Sequence, residues 1–198
     1  MTARAGTTLA ALAIASAALA AAPVTATVES RGDTYRVQGA FRAPVAPEVA
    51  WTVLTDYDHI GAFVSSVLTS RVERRAEGAL LLRQESVGGM LFVSHRVEVL
   101  LEVREDPGRS IRFRDVLARD FHRYQGEWQL VSDSAGVGLR YVLDADPKAP
   151  MPRVLGRAAL GRSVRKLLGE VRAEMLRRAG PQAPVQAPRT APQGDSRD

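Results

Sequence analysis

The stretch that decides the fold is APEVAWTVLTDYDHIGAFVSSVLTSRVERR (Ala46–Arg75). Pro47 suits the first turn of a helix, where its missing N–H group costs no hydrogen bond. Val49, Val53 and Leu54 then recur at helical spacing, so one face of this helix is apolar. We therefore predict a short amphipathic helix that begins at Pro47 and packs on the core of a domain.

A second, shorter helix and a strand follow directly in the same stretch. Ile60 and Phe63 supply the apolar side of this helix, and Asp56 or Asp58 can cap its start. The strand is predicted over Val67–Arg75. Two short helices followed at once by a strand indicate a mixed α and β domain.

Most of the chain up to residue 145 reads as strands separated by turn residues. Thr34–Ala43 alternates apolar and polar residues, as a half-buried antiparallel strand does. Glycine, proline and aspartate mark the turns. The predicted strands are Ala26–Ser30, Thr34–Ala43, Val67–Arg75, Ala79–Val87, Leu91–Arg104, Ser110–Ala118, Phe121–Ser132 and Gly136–Ala145. Their polar outer faces indicate an open sheet with one side in water.

The last predicted element is a long helix from Pro152 to Ala179, ended by Gly180-Pro181. Its apolar stripe, which should face the core, comprises Val154, Ala158, Val164, Leu168, Val171 and Met175. The opposite side is predicted to hold Glu170 and Glu174 among the basic residues Arg153, Arg157, Arg162, Arg165, Lys166, Arg172, Arg177 and Arg178.

Several short motifs resemble those of one family. They are Val49-Ala50-Trp51, Leu54-Thr55-Asp56-Tyr57, Phe63, Ser70-Arg71-Val72, Gly126-Glu127-Trp128-Gln129-Leu130 and Gly138-Leu139-Arg140-Tyr141. Across Val28–Met175 the chain resembles START-like (SRPBCC) domains, which include polyketide cyclases, coenzyme-Q-binding START proteins and pollen-allergen-type lipid binders. The resemblance implies an α+β helix-grip fold, with two short helices after the first strand and a curved antiparallel sheet wrapped around a long C-terminal helix. It also implies a cavity for an apolar ligand.

The two ends of the chain differ from the centre in composition. Residues 5–28 carry no charge and follow Arg4, which is typical of a secretory signal peptide. We expect cleavage after Ala26 and a secreted, periplasmic protein; the alternative is an uncleaved membrane anchor. The segment 180–198 is rich in proline, alanine and glutamine, so we expect a disordered tail. The predicted organisation is a signal peptide over 1–26, a START-like domain over 27–179 and the tail.

Composition argues against several kinds of chemistry. The chain has no cysteine, which removes disulfides, thiol catalysis and cysteine-bound metals. Its three histidines are too scattered in sequence to indicate a metal site, and no dinucleotide or phosphate-binding motif is present. The net charge is +5, and nearly all of the basic residues are arginines. We nevertheless do not expect nucleic-acid binding, because an exported protein rarely meets nucleic acid. We expect no cofactor.

Residues on the predicted inner strand faces are the candidates for ligand contact. His95 falls in the apolar register of its strand, while His122 and Tyr124 share one face of a later strand. A mostly apolar pocket with a few polar groups is typical of small-ligand sites. The alternative for each is an ordinary core or strand-end residue. The candidates are Gln84, Ser86, His95, Val97, His122, Tyr124, Trp128, Leu139 and Tyr141.

Three functional hypotheses follow from these features. The leading one is an exported domain that binds a hydrophobic molecule of lipid, isoprenoid or quinone type. The second is a cyclase- or hydrolase-like enzyme acting on an apolar substrate, with His95 or His122 as general base. The third is an interaction module whose basic C-terminal helix lies against an anionic membrane or an acidic partner. The oligomeric state stays open.

Overall fold

Apolar and polar side chains alternate along the strands, so the sheet has one buried face and one solvent-exposed face. The computed structural model describes residues 23–76, 79–87, 96–149 and 153–180. Within these ranges eight strands form an antiparallel sheet. The strands are β1 (Thr25–Arg31), β2 (Thr34–Ala43), β3 (Val67–Ala76), β4 (Ala79–Val87), β5 (Arg96–Asp106), β6 (Ser110–Asp115), β7 (Phe121–Asp133) and β8 (Gly136–Pro147).

Helices occupy the connection from β2 to β3 and the end of the domain. They are α1 (Pro47–Leu54), a 3-10 helix (Tyr57–His59), α2 (Ile60–Phe63) and α3 (Arg153–Ala179). The strand order is β1-β2-β8-β7-β6-β5-β4-β3, so the chain between β2 and β3 crosses to the far edge of the sheet before a meander returns to β2. The predicted α+β helix-grip fold is confirmed.

Helix α3 packs across the inner face of the sheet. It contacts β1, β2 and α1, and its Leu168 and Met175 side chains are fully buried. Burying one such side chain contributes about 1.5–3 kcal/mol. A Cβ atom on Gly39 of β2 would lie 2.4 Å from Leu168 Cδ1. Glycine at this position therefore lets the helix approach the sheet closely.

The faces of α3 differ in part from the predicted ones. Val164, Leu168, Val171 and Met175 are buried as predicted, but Ala158 is exposed. The helix turns Ala159 and Leu160 toward the interior instead. Glu174, placed on the solvent side by the sequence pattern, is also buried. Two arginines hydrogen-bond its carboxylate, and these contacts compensate the cost of burying the charge.

The structure does not show the predicted capping role of Asp56 and Asp58. Neither side chain caps the 3-10 helix or α2. Asp56 instead contacts His59 Nδ1 over 2.6 Å and accepts a hydrogen bond from Arg178 over 2.7 Å. Asp58 Oδ1 accepts a hydrogen bond from the Val72 N–H of β3 over 2.8 Å. Both carboxylates thus join the short helices to other elements.

Strand β3 forms one edge of the sheet. Its pairing with β4 is interrupted between Val67 and Thr69 and again between Val72 and Arg74. The 3-10 helix and α2 pack against it. Strand β6 ends at Asp115, earlier than predicted, because this carboxylate accepts hydrogen bonds from the N–H groups of Leu117 and Ala118 in the turn.

Most of the predicted terminal segments lies outside the described residues. Thr25 and Ala26 are the first two residues of β1 and pair with Ala40 and Gly39, so cleavage after Ala26 would leave β1 beginning at Thr27. The signal peptide and the disordered tail stay predictions. Among the residues that the structure describes, no helix has both the length and the apolar character needed to cross a bilayer.

Candidate functional site

A cavity of about 770 Å³ lies between the inner face of the sheet and the helices α2 and α3. Its walls are mainly aliphatic. Leu82 and Val99 come from neighbouring strands, and Leu160, Val164 and Val171 come from the buried stripe of α3. The wall therefore follows from two patterns visible in the sequence, the alternation along the strands and the apolar stripe of the last helix.

The cavity brings together most of the predicted contact residues. Residues of this set that line it are Gln84, Ser86, Val97, Tyr124, Trp128 and Tyr141. Ser86 and Val97 are paired across β4 and β5, as are Trp128 and Tyr141 across β7 and β8. Cross-strand pairing places the members of each pair side by side on the same face of the sheet.

His122 and Leu139 do not line the cavity. The sequence pattern predicts that His122 faces inward, but it is exposed. The pairing of β7 with β8 shifts between Phe121 and Arg123, and this bulge makes Phe121 the buried residue instead. Leu139 is buried, yet it packs in the core between Phe41 and Leu130 on the neighbouring strands. His95 lies outside the described residues.

Aromatic rings form one wall of the cavity. The Tyr141 ring lies 4.6 Å from Trp128 and 6.2 Å from Phe113, measured between ring centroids. Tyr124 lies 4.8 Å from Phe121 and 6.0 Å from Phe113. Such separations are in the range where aromatic pairs attract one another, at roughly 4.5–7 Å. The cluster fixes the orientation of both tyrosine hydroxyls.

Gly126 makes room for this aromatic wall. A Cβ atom there would lie 2.5 Å from Phe113 Cζ and 2.3 Å from the Val142 carbonyl oxygen. Any side chain at this position would displace the ring or the neighbouring strand. The glycine of the Gly126-Glu127-Trp128 motif therefore has a packing role behind the cavity wall.

Burial raises the pKa of the Tyr124 hydroxyl to about 12; the neighbouring Tyr141 hydroxyl opposes this rise, and the Asp115 carboxylate adds to it. Burial and the Tyr124 hydroxyl raise the pKa of Tyr141 well above the ordinary value. Both phenols are neutral at physiological pH. They can bind a ligand oxygen through hydrogen bonds without charge.

Gln84 is another polar residue on the strand walls, and its side chain has a hydrogen-bond partner in the neighbouring strand. Its Nε2 atom donates a hydrogen bond to Ser70 Oγ over 3.1 Å. Ser70 and Gln84 are paired across β3 and β4. The amide is thus held in one orientation by the neighbouring strand, and Ser86 lies two residues further along the same inner face.

Exposed and half-buried residues among the lining mark where the cavity meets solvent. We call this border the rim and define it as Ser65, Ser66, Ser86, Arg162 and Lys166. Ser65, Arg162 and Lys166 are exposed. The two sides of the rim are linked because Ser65 donates hydrogen bonds to Glu170 from its N–H over 3.2 Å and from its Oγ over 2.5 Å.

Sequence reasoning missed the α3 part of the rim. Arg162 and Lys166 belong to the side of the helix that is expected to lie in water, and they do carry exposed charges. Their positions four residues apart put them on one line along α3. That spacing is visible in the sequence, but which side of the helix borders the cavity depends on how α3 sits on the sheet.

A metal centre has no basis in the described part of the chain. Across residues 23–76, 79–87, 96–149 and 153–180, no three histidine, aspartate or glutamate side chains are grouped so that they could hold a metal ion. His59 contacts Asp56 alone, and His122 is exposed. The polar groups on the strand walls of the cavity are hydroxyls, the Gln84 amide and an indole, and the charged groups Arg162 and Lys166 lie at its rim.

The long C-terminal helix, the curved sheet and the apolar cavity between them form the helix-grip fold of START-like domains. The chain belongs to the family described as "Polyketide cyclase / dehydrase and lipid transport", whose model matches residues 34–176. None of the curated proteins matches it.

Solved structures share the fold at low sequence identity. A STAR-related lipid transfer protein fragment from Xanthomonas axonopodis superposes with a TM-score of 0.66 at 17% identity, covering 77% of this chain and 93% of that one. The protein TTHA0849 from Thermus thermophilus gives 0.65 at 21% identity, with 73% and 99% covered. The Zhui aromatase/cyclase from Streptomyces sp. R1128 gives 0.62 at 17% identity, with 73% and 95% covered. At these identities the similarity defines the fold alone.

Proposed function

We propose that this protein binds a hydrophobic small molecule, of lipid, isoprenoid or quinone type, in the cavity between the sheet and α3. The observation that carries the proposal is the composition of the wall, where aliphatic and aromatic side chains surround a few uncharged polar groups and the charged residues Arg162 and Lys166 lie only at the rim. A volume of about 770 Å³ lies within the usual range for small-molecule sites, roughly 300–1,000 Å³.

Burial of apolar surface would supply most of the affinity. Each methylene group transferred from water into such a site contributes about 0.8 kcal/mol. The hydroxyls of Tyr124 and Tyr141 would orient a polar group of the ligand, since an oxygen buried beside them without a hydrogen bond would be disfavoured. This division of roles accounts for two tyrosine hydroxyls in a wall that is otherwise aromatic.

The enzyme hypothesis receives less support from the described residues. It needs a general base in the cavity, and of the two histidines considered, His122 is exposed on the outer side of a bulge. The cavity tyrosines are poor proton acceptors and donors near neutral pH because their pKa values are raised. A carrier needs no such group, so binding without chemistry is the simpler proposal.

We further propose that binding takes place in the periplasm, after removal of the N-terminal segment. The support is the sequence pattern, an uncharged alanine-rich segment behind Arg4. N-terminal sequencing of protein recovered from the periplasm of a bacterial host tests this directly. A mature chain beginning at Thr27 is expected, and an unprocessed chain in the membrane fraction would refute it.

Native mass spectrometry of the full-length chain, expressed and purified without detergent, tests the ligand proposal. We expect a discrete additional mass that organic extraction releases as a lipid or a quinone. An apo mass together with no uptake of any apolar probe would contradict the proposal.

A cavity-filling variant gives the matched test. Val97 lines the cavity, whereas Val131 projects from the same sheet with 67% of its surface exposed. Val97→Trp should lower the fluorescence increase of N-phenyl-1-naphthylamine, because the indole takes up part of the ligand space. Val131→Trp should leave it unchanged. Equal probe binding by wild type and Val97→Trp, with unaltered circular dichroism, would place the ligand elsewhere.

A further inference from the structure

The basic side of α3 is divided into two rows with different surroundings. Arg157 Nε donates a hydrogen bond to the Val28 carbonyl oxygen of β1 over 3.2 Å. A Cβ atom on Gly161 would lie 3.5 Å from both Val28 Cγ2 and Arg165 Nη1. Arg157 and Arg165 therefore lie on the β1 side of the helix, away from the rim.

The second row borders the cavity. Arg162 and Lys166 line it and are exposed, and Glu170 follows one turn later. Glu170 accepts both hydrogen bonds from Ser65 and lies 3.9 Å from Lys166 Nζ. Long cationic side chains can lay their methylene stems on an apolar wall while the charge stays in water. This row thus places charge where the apolar cavity opens.

Positive charge in this row is not fully compensated. Glu170 is the one acidic residue of this row, so one negative charge stands against the two positive charges of Arg162 and Lys166. Arg162 makes no hydrogen bond or ion pair with any residue in the part of the chain that the structure describes. Ser66 and Ser86 add hydroxyl groups to the lining of this opening. The rim therefore offers donors and positive charge to an incoming group.

We propose that the ligand is an amphiphile with an anionic head group, a carboxylate or a phosphate, which Arg162 and Lys166 bind at the rim while the apolar part fills the cavity. The inference rests on the proposed function and narrows its ligand class. Charge-assisted hydrogen bonds from arginine and lysine to such oxygens are stronger than those between neutral groups. The head stays partly in water, so its charge need not be buried.

Three probes of equal chain length test the head group: decanoate, decyl phosphate and decan-1-ol. Each competes with N-phenyl-1-naphthylamine for the full-length protein, at low salt and slightly alkaline pH. Two partly exposed charge contacts are expected to give the anionic probes an advantage of about tenfold over the alcohol. Added salt should shrink that advantage, because the contacts face solvent.

Two double variants with the same change in net charge identify the residues. Arg162→Gln/Lys166→Gln should remove the advantage of the anionic probes and leave the affinity for decan-1-ol within about twofold of wild type. Arg157→Gln/Arg165→Gln is the control from the other row of the same helix, and it should retain the advantage. An equal loss in both double variants would mean that only overall charge matters and would overturn the proposal.

The probes also separate this inference from the function on which it rests. Binding of decan-1-ol as tightly as decanoate and decyl phosphate overturns the anionic head group while the apolar carrier stands. Failure of all three probes and of N-phenyl-1-naphthylamine overturns both. Tighter binding of one anion than the other, with both above the alcohol, supports the proposal and identifies the head group as carboxylate or phosphate.

Discussion

Arg178, near the end of α3, donates a hydrogen bond from Nη2 to Asp56 Oδ2 over 2.7 Å and joins the long helix to the turn that precedes the 3-10 helix. The same guanidinium donates from Nε to Glu174 Oε1 over 2.7 Å and lies 5.6 Å from the centre of the Phe63 ring. One side chain thus connects α3, α2 and the turn at Asp56. Phe63 also lines the cavity, so this junction lies beside it.

Arg178→Gln should lower the free energy of unfolding by about 2 kcal/mol, because it removes the hydrogen bond to Asp56 in another element as well as one of those to Glu174. Arg177→Gln is the matched control. Arg177 also binds Glu174, but its side chain is 70% exposed and its contact stays within α3. We expect a loss below about 1 kcal/mol there. Urea unfolding measures both values, and equal losses would deny Arg178 its bridging role.

Glu174 should make the protein sensitive to acid. Hydrogen bonds from Arg177 and then Arg178 lower the pKa of this carboxyl to about 2, against the opposing effect of burial. A lowered folded-state pKa adds stability above the ordinary value of 4.5, and that stability is lost as the pH falls toward about 2. The contribution is on the order of 1 to 2 kcal/mol after solvent screening.

Urea unfolding at several pH values between those limits measures this contribution. The Glu174→Gln variant should show a flatter dependence, since it has no carboxyl to protonate. An unchanged slope would assign the acid sensitivity to other carboxyls, such as Asp56, whose pKa is also lowered by His59 and Arg178 against the effect of burial.

Tyr124 should make the folded protein less stable as the pH rises into the alkaline range. Its pKa is raised from 10.0 to about 12, so the folded protein keeps a proton that the unfolded chain releases. Stability from this group is therefore complete below pH 10 and is lost as the pH rises toward about 12. Tyr124→Phe should flatten the alkaline limb of a thermal-stability profile. Tyrosinate absorbance appearing near pH 10 in the folded protein would contradict the raised pKa.

Gly39→Ala should destabilise the contact between α3 and the sheet. The added methyl group would lie 2.4 Å from Leu168 Cδ1, so the helix or the leucine must move, at about 1–3 kcal/mol. Gly138→Ala in the adjacent strand β8 is the control, because its new methyl group meets no atom closer than 3.4 Å. Thermal unfolding of the two variants should differ clearly. A tolerated Gly39→Ala would show that α3 has room to shift.

Regular alternation made most of the fold predictable. The bounds of β2 and β4 match their predicted ranges. Apolar and polar residues alternate along β2, and glycine-containing turn sequences precede and follow β4. Helix α3 was equally visible, from its spacing of three and four. The cavity wall followed from the same patterns, since inward residues of a curved sheet must face either the helix or empty space.

Local departures from regularity were not predictable. One extra residue at the start of β7 turns His122 outward and Phe121 inward, and nothing in the alternation of that strand marks the bulge. Glu174 and Arg178 looked like solvent-facing charges on α3, because the partner that draws Arg178 inward, Asp56, lies far away in sequence. Long-range pairing of this kind depends on the assembled fold.

The broken pairing of β3 has a consequence for how the protein behaves at high concentration. An uninterrupted edge strand offers a row of free N–H and C=O groups to which another chain can add a strand, the first step of aggregation. Here the bulges disturb that row, Asp58 occupies the Val72 N–H, and the charged residues Arg71, Glu73, Arg74 and Arg75 stand along it. The edge next to the ligand opening is therefore a poor template for self-association, which keeps the entrance accessible.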